Sequence, residues 1–133
     1  MPARAQKPKP LRVLIADDHR LFAEALEAIL ASDERIEVVG QASDGGEAVE
    51  LTRTLGPDVV LMDVSMPVLD GFEATREIRA ESEGVRVLML TGSNSRADVD
   101  RSREVGASGY VTKDRIASEL VAAIVEVTRR RLP

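Results

Sequence analysis

The 133-residue sequence contains no cysteine and a single histidine, His19. The missing thiols exclude a disulfide scaffold, a zinc–thiolate site and a cysteine nucleophile, and one histidine is too few for a multi-histidine metal site. Carboxylates, hydroxyls and amines are therefore the groups left for chemistry.

Long hydrophobic runs are also missing. No apolar run reaches the roughly 18 residues of a membrane span, and the N-terminal MPARAQKPKP lacks the hydrophobic stretch of a signal peptide. We therefore expect a cytoplasmic protein with no membrane partner. Hydrophobic residues still make up 44% of the chain, enough to fill a core, and 133 residues suit one domain.

Positive charge is scarce in the middle of the chain and concentrated at its ends. The net charge is −5, and the two ends without acidic residues carry Arg4, Lys7, Lys9, Arg12, Arg129, Arg130 and Arg131. Residues 13–128 hold the other 11 basic residues and all 23 acidic ones, a net charge of −12. Such an acidic body does not attract a polyphosphate backbone, so this domain itself is not expected to bind nucleic acid. We interpret 1–10 as a disordered basic tail and 129–133 as a C-terminal tail or the start of a linker, solubilising segments around a domain at 11–128.

Between these ends, strand signals alternate with helical ones. Apolar, β-branched runs predict buried strands at 11–16, 36–42, 59–63, 85–92 and 107–113. A segment with helical spacing follows each strand, and we expect Asp18 and Asp114 to cap the first and last helices. The fourth helix has few apolar residues and should end at Gly106, so it is predicted to pack least firmly.

Five strands alternating with five helices predict an α/β fold. Right-handed crossovers then require a doubly wound, five-stranded parallel sheet covered by helices on both faces. Ligands of such sheets bind at the carboxyl ends of the strands.

Polar side chains end four of the five strands. Asp17 and Asp18 follow the first strand, Asp63 the third, Thr91 the fourth and Lys113 the fifth. Three carboxylates brought close together need a cation, and oxygen ligands favour Mg²⁺. With a lysine and a hydroxyl, this site can stabilise a phosphoryl group, and a carboxylate can act as the nucleophile.

These residues and their motifs resemble the receiver domain of bacterial two-component response regulators over residues 11–128. The similarity is carried by the pair Asp17–Asp18, Asp63 in LMDVSMPVLDG, Thr91 in LMLTGS, and Tyr110 and Lys113 in GYVTKD. The resemblance implies a flavodoxin-like receiver fold. It also implies that Mg²⁺ is held by Asp18, Asp63 and the main-chain carbonyl of Ser65, with Asp17 in support.

The resemblance further implies a signalling mechanism. Asp63 would take a phosphoryl group from a sensor histidine kinase, and Thr91 and Lys113 would bind its oxygens. Tyr110 would turn inward as Thr91 moves, changing the surface of helix 4, strand 5 and helix 5. The expected outcome is association, including homodimer formation on phosphorylation.

The tripeptide DDH at 17–19 and the segment GASGYVTKD resemble a subfamily whose receivers precede a helix-turn-helix DNA-binding domain of the LuxR type. DNA would be reached only through such a domain, which the 133 residues do not include. The chain is therefore either a receiver excised from a longer transcription regulator or a stand-alone receiver acting on proteins. Asp114 replaces the proline common after the lysine, and a cis bond without proline would cost about 3 kcal/mol, so the sequence leaves the geometry of this peptide bond open.

Several alternatives stay open at this point. A Mg²⁺-dependent small-molecule phosphohydrolase would use similar groups but needs a substrate pocket or cap insertion, whereas the phosphorylation switch is not a turnover enzyme. A pseudo-receiver that only binds partners would not need all five site residues. Thr91 could simply end its strand, Tyr110 could be a static side chain, and His19 is interpreted as a local surface or capping residue rather than a phosphorelay histidine.

Overall fold

The computed structural model describes residues 9–92 and 96–129. Its elements are β1 (Leu11–Ala16), α1 (Arg20–Ala31), β2 (Ile36–Ala42), α2 (Gly45–Leu55), β3 (Val59–Asp63), α3 (Gly71–Glu81), β4 (Arg86–Thr91), α4 (Arg96–Glu104), β5 (Gly109–Thr112), a 3₁₀ turn (Lys113–Arg115) and α5 (Ile116–Arg129). Most of the two predicted tails, residues 1–8 and 130–133, lies outside the described residues, so the tails and domain limits remain predictions. Within the described ranges, every helix is too short or too polar to cross a bilayer.

The five strands form one parallel sheet in the order β2-β1-β3-β4-β5. This order confirms the predicted doubly wound α/β fold with five helices. The first three strands have the predicted limits, while the predicted strands at 85–92 and 107–113 are shorter in the structure. Because all strands are parallel, their carboxyl ends meet at one edge.

The sheet separates two hydrophobic cores, as the alternation along β1 shows. Val13 and Ile15 lie in the core that α1 and α5 cover. Leu14 and Ala16 lie in the opposite core, against residues of α2 and α3. Because helices cover both faces of the sheet, the strand sequences contain consecutive apolar residues rather than alternating apolar and polar ones.

The predicted caps of the first and last helices are wrong. The N-cap of α1 is His19, and the Asp18 carboxylate does not cap the helix because it lies against the His19 ring instead. The chain leaves β5 directly into the 3₁₀ turn, so Asp114 lies inside that turn and Thr112 occupies its N-cap position. The Lys113–Asp114 peptide bond, which the sequence left open, is trans.

Helix α4 is the least buried of the helices, in agreement with the sequence. Ser102 is its one buried residue within the described residues, and Val105 anchors the chain just after the helix. Gly106 follows with a φ of 95°, a left-handed conformation that favours glycine at helix ends. Few apolar contacts therefore hold this helix against the sheet.

Arg12 belongs to the fold rather than to a basic tail. Its guanidinium donates hydrogen bonds of 2.6 and 2.9 Å to the carbonyls of Leu55 and Gly56 at the end of α2. Its backbone N–H donates to the Asp58 carboxylate at 2.8 Å. This charge therefore fixes the amino-terminal edge of the sheet, opposite the predicted site.

Candidate functional site

Three carboxylates meet at the carboxyl edge of the sheet. Asp17 and Asp18 directly follow β1, and Asp63 is the last residue of the neighbouring strand β3. Asp17 and Asp63 are both 2% exposed, whereas Asp18 is exposed. Pairing of these two strands thus buries two acidic groups side by side, next to a third at the surface.

The Asp63 carboxyl group lies in an environment that opposes its ionisation. Its Oδ2 atom is buried without a hydrogen-bond partner among the described residues. Burial raises the pKa of Asp63 above its ordinary value, and the negative charge of Asp17 raises it further. Lys113 and the backbone N–H of Ser65 partly oppose this pKa shift by stabilising the carboxylate.

Lys113 brings a positive charge to the buried acids from the 3₁₀ turn after β5. Its Nζ lies 3.2 Å from Oδ1 of Asp63 and 3.6 Å from Oδ2 of Asp17. The same ammonium lies 4.6 Å from the centre of the Phe22 ring, a cation–π contact. Phe22 entered the sequence analysis only through the helical spacing of α1, so its contact with the site was missed.

His19 also joins the cluster, although the sequence analysis gave it only a surface or capping role. It does occupy the N-cap position of α1, but its Nδ1 lies 3.3 Å from both Asp17 Oδ1 and Asp18 Oδ1. Asp17, Asp18, His19 and Asp63 can each supply one ligand atom, and these atoms lie within 4.8 Å of one another. The only sequence signal for this role is the adjacency of His19 to the acidic pair.

The donor set suits a hard divalent cation. In the described part of the chain, Oδ2 of Asp17 and Oδ2 of Asp63 are buried without hydrogen-bond partners. Buried carboxylate oxygens of this kind are costly unless a cation neutralises them. Oxygen donors are the ligands that Mg²⁺ prefers, so the residues fit the predicted metal.

Ser65 lies in the exposed loop between β3 and α3. It lines a surface cleft of ≈ 560 Å³ together with Asp18, and α4 contributes Arg101 to the same lining. Arg101 lies 4.5 Å from the centre of the Phe72 ring. The cleft leads to the acidic cluster, while the role of the Ser65 carbonyl as a metal ligand remains a prediction.

The loop after β3 is fixed by a close approach of backbone to backbone. Gly71 donates its N–H to the carbonyl of Val64 at 3.1 Å. A Cβ atom at Gly71 would lie 2.1 Å from the carbonyl oxygen of Asp63, a distance that no side chain tolerates. Asp70 caps α3 by accepting from Glu73 N–H. The DG pair of VSMPVLDG therefore holds the loop against the end of β3 and positions Asp63.

Thr91 and Tyr110 lie farther along the sheet. Thr91 is buried at the end of β4, one residue beyond Leu90, which is the register partner of Asp63. Tyr110 is 41% exposed on β5 and lines a cleft of ≈ 320 Å³ that also includes Val99 of α4. The structure thus places Thr91 at the same edge as the carboxylates and Tyr110 on the outer surface beside α4.

Comparison with known proteins agrees with this arrangement. Residues 13–125 match the family model of the response regulator receiver domain. The chain belongs to the response regulator receiver domain family. This receiver domain is 40% identical over 119 residues to the transcriptional regulatory protein DegU of Brevibacillus brevis, covering 90% of this chain and 50% of DegU. It thus spans about half the length of the curated relatives it matches.

Solved structures support the same assignment. The receiver domain of the response regulator NarL from Mycobacterium tuberculosis superposes with a TM-score of 0.88 at 35% identity, covering 93% of this chain and all of that one (100%). A two-component response regulator of the LuxR family from Aurantimonas sp. SI85-9A1 gives a TM-score of 0.86 at 38% identity, covering 92% of this chain and 89% of that one. The receiver domain described here therefore has relatives in the LuxR family, as the sequence motifs implied.

Proposed function

We propose that this receiver domain is a phosphorylation-activated switch in which Asp63 accepts the phosphoryl group. The observation that carries the proposal is the buried, unpartnered Oδ2 of Asp63, whose Oδ1 lies 3.2 Å from the Lys113 ammonium. The contacts and burial of the three acids favour Asp63 as the phosphoryl acceptor. Asp17 Oδ1 already accepts the backbone N–H of His19 at 2.8 Å, and Asp18 is exposed at the edge of the cluster.

The proposed reaction is an in-line transfer to the Asp63 carboxylate. One carboxylate oxygen forms a bond to phosphorus while the phosphorus–nitrogen bond of a phosphohistidine on a sensor kinase breaks, leaving the neutral histidine after proton uptake. Lys113 neutralises charge on the transferred oxygens because its ammonium already lies beside Asp63. The Thr91 hydroxyl is proposed to bind a phosphoryl oxygen from the neighbouring strand end.

Asp18, Asp63 and the Ser65 carbonyl, supported by Asp17, are the proposed Mg²⁺ ligands. When bound, the metal ion supplies positive charge that offsets the repulsion among carboxylates and phosphoryl oxygens. The structural support for this assignment is that Oδ2 of Asp17 and Oδ2 of Asp63 are buried without hydrogen-bond partners among the described residues.

The proposed output is a changed surface formed by α4, β5 and α5. Ser102 is the buried residue of α4, so this helix can move at low cost, and Tyr110 lies exposed beside it. Movement of Thr91 toward the phosphoryl group would let Tyr110 turn inward. The partners then include a second copy of the domain or a helix-turn-helix domain that carries the DNA contacts in a cytoplasmic transcription regulator.

A small-molecule phosphohydrolase is less well supported. Only Asp17, Asp18 and His19 separate β1 from α1, and seven residues, 64–70, separate β3 from α3. Connections this short provide no cap to enclose a substrate over the acidic cluster. The domain is therefore proposed to act on itself and not as a turnover enzyme.

Intact mass spectrometry after incubation with acetyl phosphate and Mg²⁺ tests the proposal. The wild-type chain should gain the mass of one phosphoryl group, and Asp63→Asn should gain none. Asp58→Asn is the matched control, since Asp58 lies at the opposite end of the same strand. Undiminished labelling of Asp63→Asn, or sustained turnover of a small phosphate ester in excess over protein, would refute the proposed switch.

A further inference from the structure

The acidic cluster contains a nitrogen donor whose placement the proposed switch does not use. Nδ1 of His19 lies 3.3 Å from one oxygen of Asp17 and 3.3 Å from one oxygen of Asp18. The side chain is 70% exposed, so the ring remains accessible to an ion from solvent. His19 is the only histidine of the chain.

A second observation is that two buried carboxylate oxygens of the cluster have no hydrogen-bond partner in the described part of the chain, although Lys113 lies nearby. Asp63 Oδ2 and Asp17 Oδ2 are buried, and neither has a hydrogen-bond partner among the described residues. The ligand atoms of Asp17, Asp18, His19 and Asp63 lie within 4.8 Å of one another, close to the roughly 4.2 Å that separates opposite ligands around an ion with bonds of about 2.1 Å. A small contraction would therefore allow one ion to contact all four residues.

We propose that His19 Nδ1 is a ligand of the same cation that the carboxylates bind, and that the site therefore binds Co²⁺, Ni²⁺ or Zn²⁺ more tightly than Mg²⁺. Imidazole nitrogen suits these transition ions, whereas Mg²⁺ prefers oxygen and keeps its water. The inference rests on the cation site of the proposed function and adds a ligand and a metal preference to it.

The basic side chains nearest to His19 in sequence or in the cluster do not compete for this role. Lys113 is a cation that faces Asp63 and Asp17 and cannot bind a metal while it is charged. Arg20 follows His19, but its side chain is 90% exposed and pairs with Glu24 one helical turn away. His19 is therefore the nitrogen donor that the cluster offers within the described residues.

Nitrogen-15 NMR of histidine-labelled wild-type protein tests this inference directly, because one histidine gives one set of ring signals. Titration with Zn²⁺ at a fixed pH should shift the Nδ1 signal to saturation at one equivalent, and a large excess of Mg²⁺ should raise the Zn²⁺ concentration at the midpoint of the titration. A Nδ1 signal that is unchanged while Zn²⁺ binds would overturn the inference. A midpoint of the Zn²⁺ titration that excess Mg²⁺ leaves unchanged would do so as well, because it would mean a separate surface site.

Affinity measurements by calorimetry provide a second test. His19→Asn keeps a residue favoured at helix N-caps and should weaken Zn²⁺ binding by about tenfold or more, with Mg²⁺ affinity changed by less than about threefold. Arg20→Gln, the matched control, should alter neither affinity. Equal losses for both metals in His19→Asn would contradict the proposed preference.

The outcomes for the switch and for His19 are separable in the wild-type protein. If the chain gains a phosphoryl group in Mg²⁺ but Zn²⁺ does not change its Nδ1 signal, the ligand role of His19 is wrong and the proposed switch is retained. If the chain neither binds Mg²⁺ nor gains a phosphoryl group, the proposed function itself is wrong.

Discussion

Nζ of Lys113 lies 3.2 Å from Oδ1 of Asp63, although Asp63 ends β3, Lys113 follows β5, and β4 lies between these two strands. The contact forms because the 3₁₀ turn after β5 directs the lysine back across the carboxyl edge of the sheet. The same ammonium lies 4.6 Å from the centre of the Phe22 ring of α1. Asp63, the proposed acceptor, and the positive charge of Lys113 are thus already side by side in this structure.

Replacing Lys113 should therefore slow phosphorylation more than it disturbs the fold. In Lys113→Gln the charge that faces the incoming phosphoryl oxygens is lost, and we expect a rate with acetyl phosphate about a hundredfold lower. Time-resolved intact mass measures this rate. Arg115→Gln, which removes an exposed charge two residues away, should react like wild type. Equal rates for Lys113→Gln and wild type would contradict the proposed role.

The pKa of Asp63 predicts a pH dependence of stability. Because burial and Asp17 raise this pKa in the folded state, the folded protein binds the Asp63 proton more tightly than the unfolded chain does. Its contribution to stability is therefore greatest below the ordinary pKa of 3.8 and is lost as pH rises through the folded-state value. Without metal ions, Asp63→Asn should melt above wild type at neutral pH, and the difference should shrink as pH falls toward 4. If the difference in melting temperature between Asp63→Asn and wild type grows as pH falls, the raised pKa of Asp63 is wrong.

Mg²⁺ should stabilise the folded protein in a saturable way. A ligand that binds only the folded state adds about 2.7 kcal/mol at a concentration of 100 times its Kd. Thermal melting with increasing Mg²⁺ measures the effect, which Asp18→Ala should abolish. Asp100→Ala, an exposed aspartate of α4, should retain it. A wild-type melting temperature that millimolar Mg²⁺ does not change would argue against a Mg²⁺ site formed by these carboxylates.

Gly71 should tolerate no side chain. In Gly71→Ala the new Cβ would lie 2.1 Å from the Asp63 carbonyl oxygen, so backbone must shift, at a cost of about 2–3 kcal/mol or more. Gly84 is the matched control, because a Cβ there meets nothing within 4 Å. Urea denaturation should show a lower midpoint for Gly71→Ala and little change for Gly84→Ala. Similar midpoints for both variants would mean that the loop after β3 can shift without lowering the free energy of unfolding.

Phosphorylation should alter the face of α4 and β5 rather than the far side of the sheet. Hydrogen exchange of free and beryllofluoride-bound protein should differ most within residues 92–112, where α4 has little buried surface and Tyr110 is exposed. Residues 36–56, which include β2 and α2, serve as the internal control. Changes confined to that control region would refute the proposed route of the signal.

The sequence by itself determined the alternation of strands and helices, because buried parallel strands require continuous apolar runs and helices require apolar residues at helical spacing. It also determined which strands end in carboxylates, a hydroxyl and a lysine, and parallel topology alone brings such ends to one edge. The helix limits at Asp18 and Asp114 were wrong, because whether an aspartate caps a helix depends on where its side chain finds a partner.

Only the tertiary structure decided which side chains of the site contact one another and how deeply the carboxylates are buried. The contacts of His19 with two acids and of Phe22 with Lys113 join residues whose sequence patterns indicated a cap and a core position. The raised pKa of Asp63 likewise depends on burial and on the nearby charge of Asp17, which follows a different strand. Distances between side chains of different elements follow from packing of the whole chain, so no local pattern of residues could specify them.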